Sequence, residues 1–177
     1  MFKFKQMAKN DSEDIFHWRR SEHVTKFMYT DLDDDKKKHQ DWVNKNIHSI
    51  NNQYFIIYHN EEKIGLISLN DIDFINNRAS SGFYIGNLKY APLAGRVFPY
   101  FLNYVFYHLN LNKLVIEVMS NNIGMKKMDI YYGFREVGVL KEHVLKNETY
   151  YDVSILELTK ADWTEKNKFH KFVAEFK

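Results

Sequence analysis

The stretch KYAPLAGRVFPYFLNYVF, Lys89 to Phe106, runs from a loop into an amphipathic helix. Phe98, Phe101, Leu102, Val105 and Leu109 recur there at helical spacing. Backbone N–H groups at such a start, aligned with the helix dipole, favour an anion such as a phosphate. Arg96 adds a planar guanidinium that matches phosphate oxygens. Phosphate loops are usually rich in glycine, whereas this one offers Pro92, Ala94 and Gly95, and Pro92 has no N–H to give. Taken alone, these residues fit two readings: a diphosphate cradle, or a turn leading into a core helix. A second candidate for chemistry is Glu117, set in KLVIEVM. A carboxyl buried between apolar neighbours has its pKa raised, which suits a base acting directly or through water. At a solvated end of the sheet the same residue would be an ordinary surface acid.

Other chemistries are excluded by what is missing. With no cysteine there is no disulfide, thiol nucleophile or thiolate metal site. The eight histidines are scattered without an H-E-x-x-H pair, so no metal site is expected. Asp31, Asp33 and Asp35 imitate the start of a calcium loop, but Lys36 stands at its sixth position and Trp42 at its twelfth. There is no P-loop, dinucleotide fingerprint or G-x-S-x-G elbow. The charge balance is +2, from 25 basic and 23 acidic residues, so no nucleic-acid partner is expected. No apolar run approaches the ~20 residues of a membrane helix, and the N-terminus lacks a signal-peptide core. A cytoplasmic protein that does not bind membranes is the expectation.

The elements that must position these residues read from the pattern. Phe2–Met7 alternates as a strand, Asp11–Arg20 opens with acids as a helix, and Asp31–Ile50 holds a second helix. Tyr54–His59 and Lys63–Leu69 flank a short polar turn as a hairpin, and Arg78–Gly86 follows as a strand. Pro99 is tolerable only in the first turn of the next helix, which predicts a start between Ala94 and Phe98. Lys113–Met119 is a strand, and a capped helix after it stops at Gly133. Two further strands precede a closing helix with Phe169, Phe172, Val173 and Phe176 on one face. The order β-α-α-β-β-β-α-β-α-β-β predicts one mixed α+β domain over residues 1–160. Residues 161–177 are expected to form a terminal helix packed on it or at a homodimer contact.

Together these elements resemble the GNAT superfamily of N-acetyltransferases. The resemblance lies in the GFYIGN strand with the loop and helix after it, in KLVIEVMSNN, and in the helix ending at Gly133-Phe134. It implies a mixed, mostly antiparallel sheet flanked by helices, with acetyl-CoA lying between two splayed central strands, Ser81–Gly86 and Lys113–Met119. The family's diphosphate loop, Q/R-x-x-G-x-G/A, falls on Lys89–Ala94, which makes the N–H groups of Leu93, Ala94, Gly95 and Arg96 the expected donors. The resemblance further implies that the backbone of Tyr84 and Ile85 pairs with pantetheine and polarises the thioester, and that Asn122 helps to hold the cofactor. As a helix N-cap, Asn122 also has a complete structural explanation.

WRRSEHVTKFMYT and KKHQDWV resemble one group in particular, the amino-sugar nucleotide acetyltransferases of the pseudaminic acid pathway. That likeness implies a UDP-linked 4-amino-4,6-dideoxy sugar as acceptor, attacked directly in a ternary complex, with Met28, Tyr29, Trp42 and Tyr84 lining its site. Trp18 and Arg19 read more simply as a packing residue and a surface charge. The alternatives are a polyamine or protein N-terminal acetyltransferase of the same family, or a CoA-binding protein without turnover. Glu117 takes the position of the family's acid on the fifth strand. The tyrosine that the family uses as general acid is replaced by Asp129, which leaves Tyr132, three residues on, as the substitute hydroxyl.

Overall fold

The computed structural model describes residues 2–177. Seven strands form one sheet in the order β1-β2-β3-β4-β5-β7-β6. They are β1 (Phe2–Gln6), β2 (Gln53–His59), β3 (Glu62–Asp73), β4 (Arg78–Ile85), β5 (Lys113–Met119), β6 (Arg135–Lys146) and β7 (Thr149–Thr159). Every pairing is antiparallel except β4 with β5. Two hairpins set the registers around it. Asn60-Glu61 and Asn147-Glu148 each place two consecutive residues at positive φ, the geometry of a tight two-residue turn that matches strand twist.

Helices cover both faces. On one side lie α1 (Ser12–Arg20), the single turn α2 (Glu22–Thr25) and α3 (Lys36–Asn46), capped by Asp35, whose carboxylate accepts from the Lys38 N–H. They close a small core of Met7, Ile15, Val43, Ile56 and Leu66. On the other side lie α4 (Ala94–Asn103) and α5 (Ile123–Tyr132). Val97, Phe98, Phe101 and Leu102 of α4 meet Phe55, Ile67, Leu114, Ile116 and Leu156 of the sheet there, in the larger core. Alternation along the strands assigns neighbours to opposite cores: Phe55 and Ile57 to one, Ile56 to the other. Gly133 ends α5 at φ +105°, which only glycine adopts without strain.

Pro99 sits in the second turn of α4, past the first turn that its sequence position suggested, because the helix already begins at Ala94. Pro99 has no N–H to return to the Gly95 carbonyl one turn earlier, and the Tyr132 hydroxyl donates to that carbonyl instead.

The closing segment is not the expected long helix. It forms the short α6 (Lys160–Thr164), a 3₁₀ turn at Asn167–Phe169, and an end that bridges β1 between Phe176 and Phe4. Asn103 anchors it. Its side-chain amide donates to the carbonyls of Phe169 at 3.0 Å and Phe172 at 2.9 Å, and its oxygen accepts from the Trp163 indole at 2.9 Å. Phe169 is buried, Phe176 stacks on Phe4 and Tyr104, and Val173 alone of the four apolar residues faces solvent. Backbone demand for these bonds outweighs the helical spacing of the apolar residues. Asn103→Ala would leave the indole and two carbonyls unpaired. It is expected to cost about 3 kcal/mol, at roughly 1 kcal/mol or more per orphaned group. Thermal denaturation should then show a fall of about 6–12 °C; an unchanged midpoint would rule out the anchor.

Candidate active site

β4 and β5 pair only at Arg78–Ser80 with Lys113–Val115. Beyond that the two strands diverge, and a cleft of about 1050 Å³ opens between them and runs out under the helices on both faces. The phase of β4 follows from the Gly86 N–H, which donates to the Ile64 carbonyl of β3 at 2.8 Å. In an antiparallel ladder the backbone bonds alternate, so Tyr84 and Gly82 also pair with β3. Phe83 and Ile85 turn their N–H and C=O groups the other way, to the edge that β5 has left. The free donors are thus Ile85 and Phe83, the latter not named from sequence; the Tyr84 amide is committed to β3. A strand's own alternation could have revealed this, but its phase needs the partner's register.

The same alternation divides the cleft in two. Phe83 and Ile85 of β4 and Ile116 and Val118 of β5 face the α4–α5 side. There Leu88, Ala91, Ala94, Asn122, Gly124, Met125 and Met128 complete the lining. Asn122 caps α5 by accepting from the Met125 N–H at 3.3 Å, so its cleft position and its cap role coexist. Of the four expected phosphate donors only Ala94 lines the cleft, and its N–H already donates to the Ala91 carbonyl. Leu93, Gly95 and Arg96 are not part of the lining, because the 3₁₀ turn at Leu88–Leu93 runs directly into α4 and brings Leu88 and Ala91 inward instead.

On the α1–α3 side the lining includes Arg19, His23, Met28, Tyr29, Trp42, Tyr54, Tyr84 and Glu117. Glu117 is exposed at the cleft, since strand alternation sends its apolar neighbours Ile116 and Val118 to the opposite face. Of its two readings, the solvent-facing acid is the one found, and not the buried carboxyl. Its carboxylate accepts from the Tyr29 hydroxyl at 2.6 Å, and burial together with this bond raises the Tyr29 pKa well above its usual value. Met28, Tyr29, Trp42 and Tyr84 all line this half. Trp42 stacks on His39 at 5.8 Å and meets Tyr54 edge-on at 5.2 Å. The acids at the mouth are mostly committed: Asp31 is paired with Lys146, Asp33 with Lys38 at 2.8 Å, and Asp35 with the α3 start.

Arg19 is not the surface charge its sequence position suggests. It lies in the cleft wall, partly buried, and donates to the Thr30 carbonyl at 3.2 Å. Trp18 packs over Gly86, where a Cβ would collide with the indole, so glycine is required for this close approach.

Neither proposed acid reaches the cleft. Tyr132 is buried against Phe98, Trp163 and Phe169 with its hydroxyl proton given to Gly95. Burial pushes its pKa up to about 12. Asp129 is 0 % exposed, neither carboxylate oxygen has a hydrogen-bond partner, and burial pushes its pKa up to about 8. Met125, Met128, Asp129 and Tyr132 lie in one stripe of α5; the two methionines, nearer its start, reach the cleft, whereas Asp129 and Tyr132, nearer its end, are buried in the core.

A carboxyl raised this far makes stability depend on pH. Below about pH 4 the folded and unfolded chains both hold the proton. Between about pH 4 and pH 8 the unfolded chain releases it and the folded one keeps it, so stability declines. Asp129→Asn removes this titration. Denaturant unfolding should show the variant no more stable than the parent near pH 4 and more stable at pH 8, by up to about 5 kcal/mol. A gain of equal size at both pH values would mean that Asp129 is ionised in the folded chain.

Comparison with known proteins agrees with this architecture. An uncharacterized N-acetyltransferase, p20, from Bacillus licheniformis is 24% identical over 165 residues, covering 90% of this chain and 93% of its own. A spermidine N-acetyltransferase from Vibrio cholerae, solved in complex with CoA and spermine, superposes with a TM-score of 0.86 at 21% identity, covering 92% of this chain and 98% of its own. A dodecameric structure of that enzyme in an intermediate state gives 0.80 at 20% identity, covering 93% and 97%. The profile described as "Acetyltransferase (GNAT) domain" matches residues 2–135, which include the splayed strands β4 and β5 and the helices α1 to α5. The chain belongs to the GNAT acetyltransferase family and is an N-acetyltransferase that uses acetyl-CoA.

Proposed function

We propose that this enzyme acetylates the primary amine of a small molecule seated in the α1–α3 half of the cleft, with Glu117 as the base. The observation that carries this reading is the state of Glu117: a cleft-facing carboxylate held by a neutral hydroxyl, with no ion pair to a cation among the described residues. An ammonium group is attracted there, and a carboxylate at this place can take its proton directly or through one water. Acetyl-CoA supplies the activated thioester when bound. Phe83 and Ile85 suit it, because their free N–H groups line the gap and can bind pantetheine and the thioester carbonyl. Met125, Met128 and Ala94 offer an apolar surface beside them. With Asp129 and Tyr132 turned inward, we assign the proton for the departing thiolate to water in the open cleft.

Two acceptor classes have support. The spermidine acetyltransferases that share the fold favour a polyamine, whose ammonium groups suit Glu117. The aromatic wall of Tyr29, Trp42, Tyr54 and Tyr84, together with the prior commitment of Asp31 and Asp33 to lysines, favours a ring-bearing acceptor with a single amine, such as a UDP-4-amino-4,6-dideoxy sugar. The purified protein is to be incubated with acetyl-CoA and each of spermidine, spermine and that sugar nucleotide, with free CoA measured. Release with polyamines alone would remove the sugar reading, and release with the sugar alone would remove the polyamine.

Glu117→Gln is expected to lower kcat/KM by about 10²- to 10⁴-fold, the usual contribution of a positioned base. Tyr29→Phe should cost about tenfold by freeing the carboxylate, the worth of one hydrogen bond to a charged group. CoA affinity measured by titration should be unchanged in both. Turnover of Glu117→Gln within a factor of three of the parent would exclude the base role.

A further inference from the structure

Two polar groups in the acceptor half of the cleft lack partners. Arg19 is fixed by one terminal nitrogen, Nη2, on the Thr30 carbonyl, while its other terminal nitrogen, Nη1, is buried without a hydrogen bond. The Tyr84 hydroxyl is likewise buried and unpartnered, its ring held edge-on by Trp18 at 6.4 Å. Both side chains line the cleft and lie near enough for the phenol to act electrostatically on the guanidinium. Burial lowers the Arg19 pKa and raises that of Tyr84, so both environments are poor in solvent. Asp31 also acts on Arg19, but its carboxylate is held by Lys146 and Thr25.

An arginine can only donate, and the Tyr84 hydroxyl has its proton uncommitted, so an incoming atom here must accept hydrogen bonds. A guanidinium withdrawn from water is expensive unless it meets a negative charge. We propose that Arg19 and Tyr84 hold an oxyanion of the acceptor, a carboxylate or a phosphate, while its amine lies at Glu117. This rests on the reading of the α1–α3 half as the acceptor side, and it narrows that reading to amines that also carry negative charge. A polyamine, which carries only positive charge, gains nothing from Arg19 and is repelled by it.

The test uses the full chain saturated with CoA, so that the cofactor's own anion site is filled. Inorganic pyrophosphate, UDP and succinate are titrated calorimetrically against the parent, Arg19→Met and Tyr84→Phe. At least one of them is expected to bind the parent, about tenfold more weakly to Arg19→Met and several-fold more weakly to Tyr84→Phe. The pyrophosphate and UDP arms against the succinate arm tell a phosphate from a carboxylate. No binding to the parent, or equal binding to both variants, overturns the proposal. If Arg19→Met fails to bind CoA and so has not folded, Tyr84→Phe, which keeps the ring, decides alone. Acetyl transfer is scored separately with the amine panel, so silence on every amine would count against the proposed function and leave the oxyanion result standing.

Discussion

The sheet is interrupted at its centre, and the rest of the site follows from that interruption. β4 and β5 hold three residue pairs and then part, which leaves backbone N–H and C=O groups of Phe83 and Ile85 unpaired in the middle of a seven-stranded sheet. Unpaired backbone groups inside a protein are costly and rare. Outer strands can meet water, but central ones cannot unless a cavity reaches them. Here the cavity does, and the open edge becomes a template for any extended chain with amides of its own, by the same physics that adds a strand to a sheet. Pantetheine is such a chain, and the family's cofactor requirement is already implicit in the break.

The break also sorts the side chains. Because residues alternate across a strand, one divergence serves two chambers. Phe83, Ile85, Ile116 and Val118 turn to the helices α4 and α5, whereas Tyr84 and Glu117 turn to α1–α3. An apolar half and a polar half of the cleft thus meet along the backbone itself, and the proposed function sets the thioester at that junction, within reach of an amine. The orientation of Glu117 is not tuned by its neighbours in sequence. Its place in the strand's two-residue period decides it, and the Tyr29 hydroxyl then holds it.

Much of this was legible from sequence because it depends on local pattern. The strand and helix order, the Asn122 cap and the turn at Gly133 follow from spacing and from residue type. Met28, Tyr29 and Trp42, named by resemblance, line the cleft. What failed depended on phase or on distant partners. Asp129 and Tyr132 share a helical face with Met125 and Met128, but only the methionines, nearer the start of α5, reach the cleft, while the other two are buried further along the helix. The closing apolar residues keep helical spacing, yet Asn103 and β1 claim the backbone there. Pro99 is admitted to a second helical turn because Tyr132, 33 residues later, satisfies the carbonyl it abandons. No window of local sequence contains that compensation.

Arg19 is the sharpest case of the same limit. In SEDIFHWRR it sits next to Arg20, and the two look equivalent as basic residues in the last turn of α1. Arg20 reaches out to an ion pair with exposed Asp34, whereas Arg19, one residue earlier and 100° around the helix, is turned into the cleft wall beside Tyr84. A guanidinium can be carried into such a place only if the surrounding fold outweighs its desolvation. Here the carbonyl of Thr30 meets part of the demand, and Nη1 is left without a partner. On the proposed reading the acceptor meets opposite charges at two stations, a carboxylate on β5 and a guanidinium on α1. A molecule that satisfies only one station leaves the other exposed to a poorly solvated wall, and discrimination among amines can arise from that unmet demand alone.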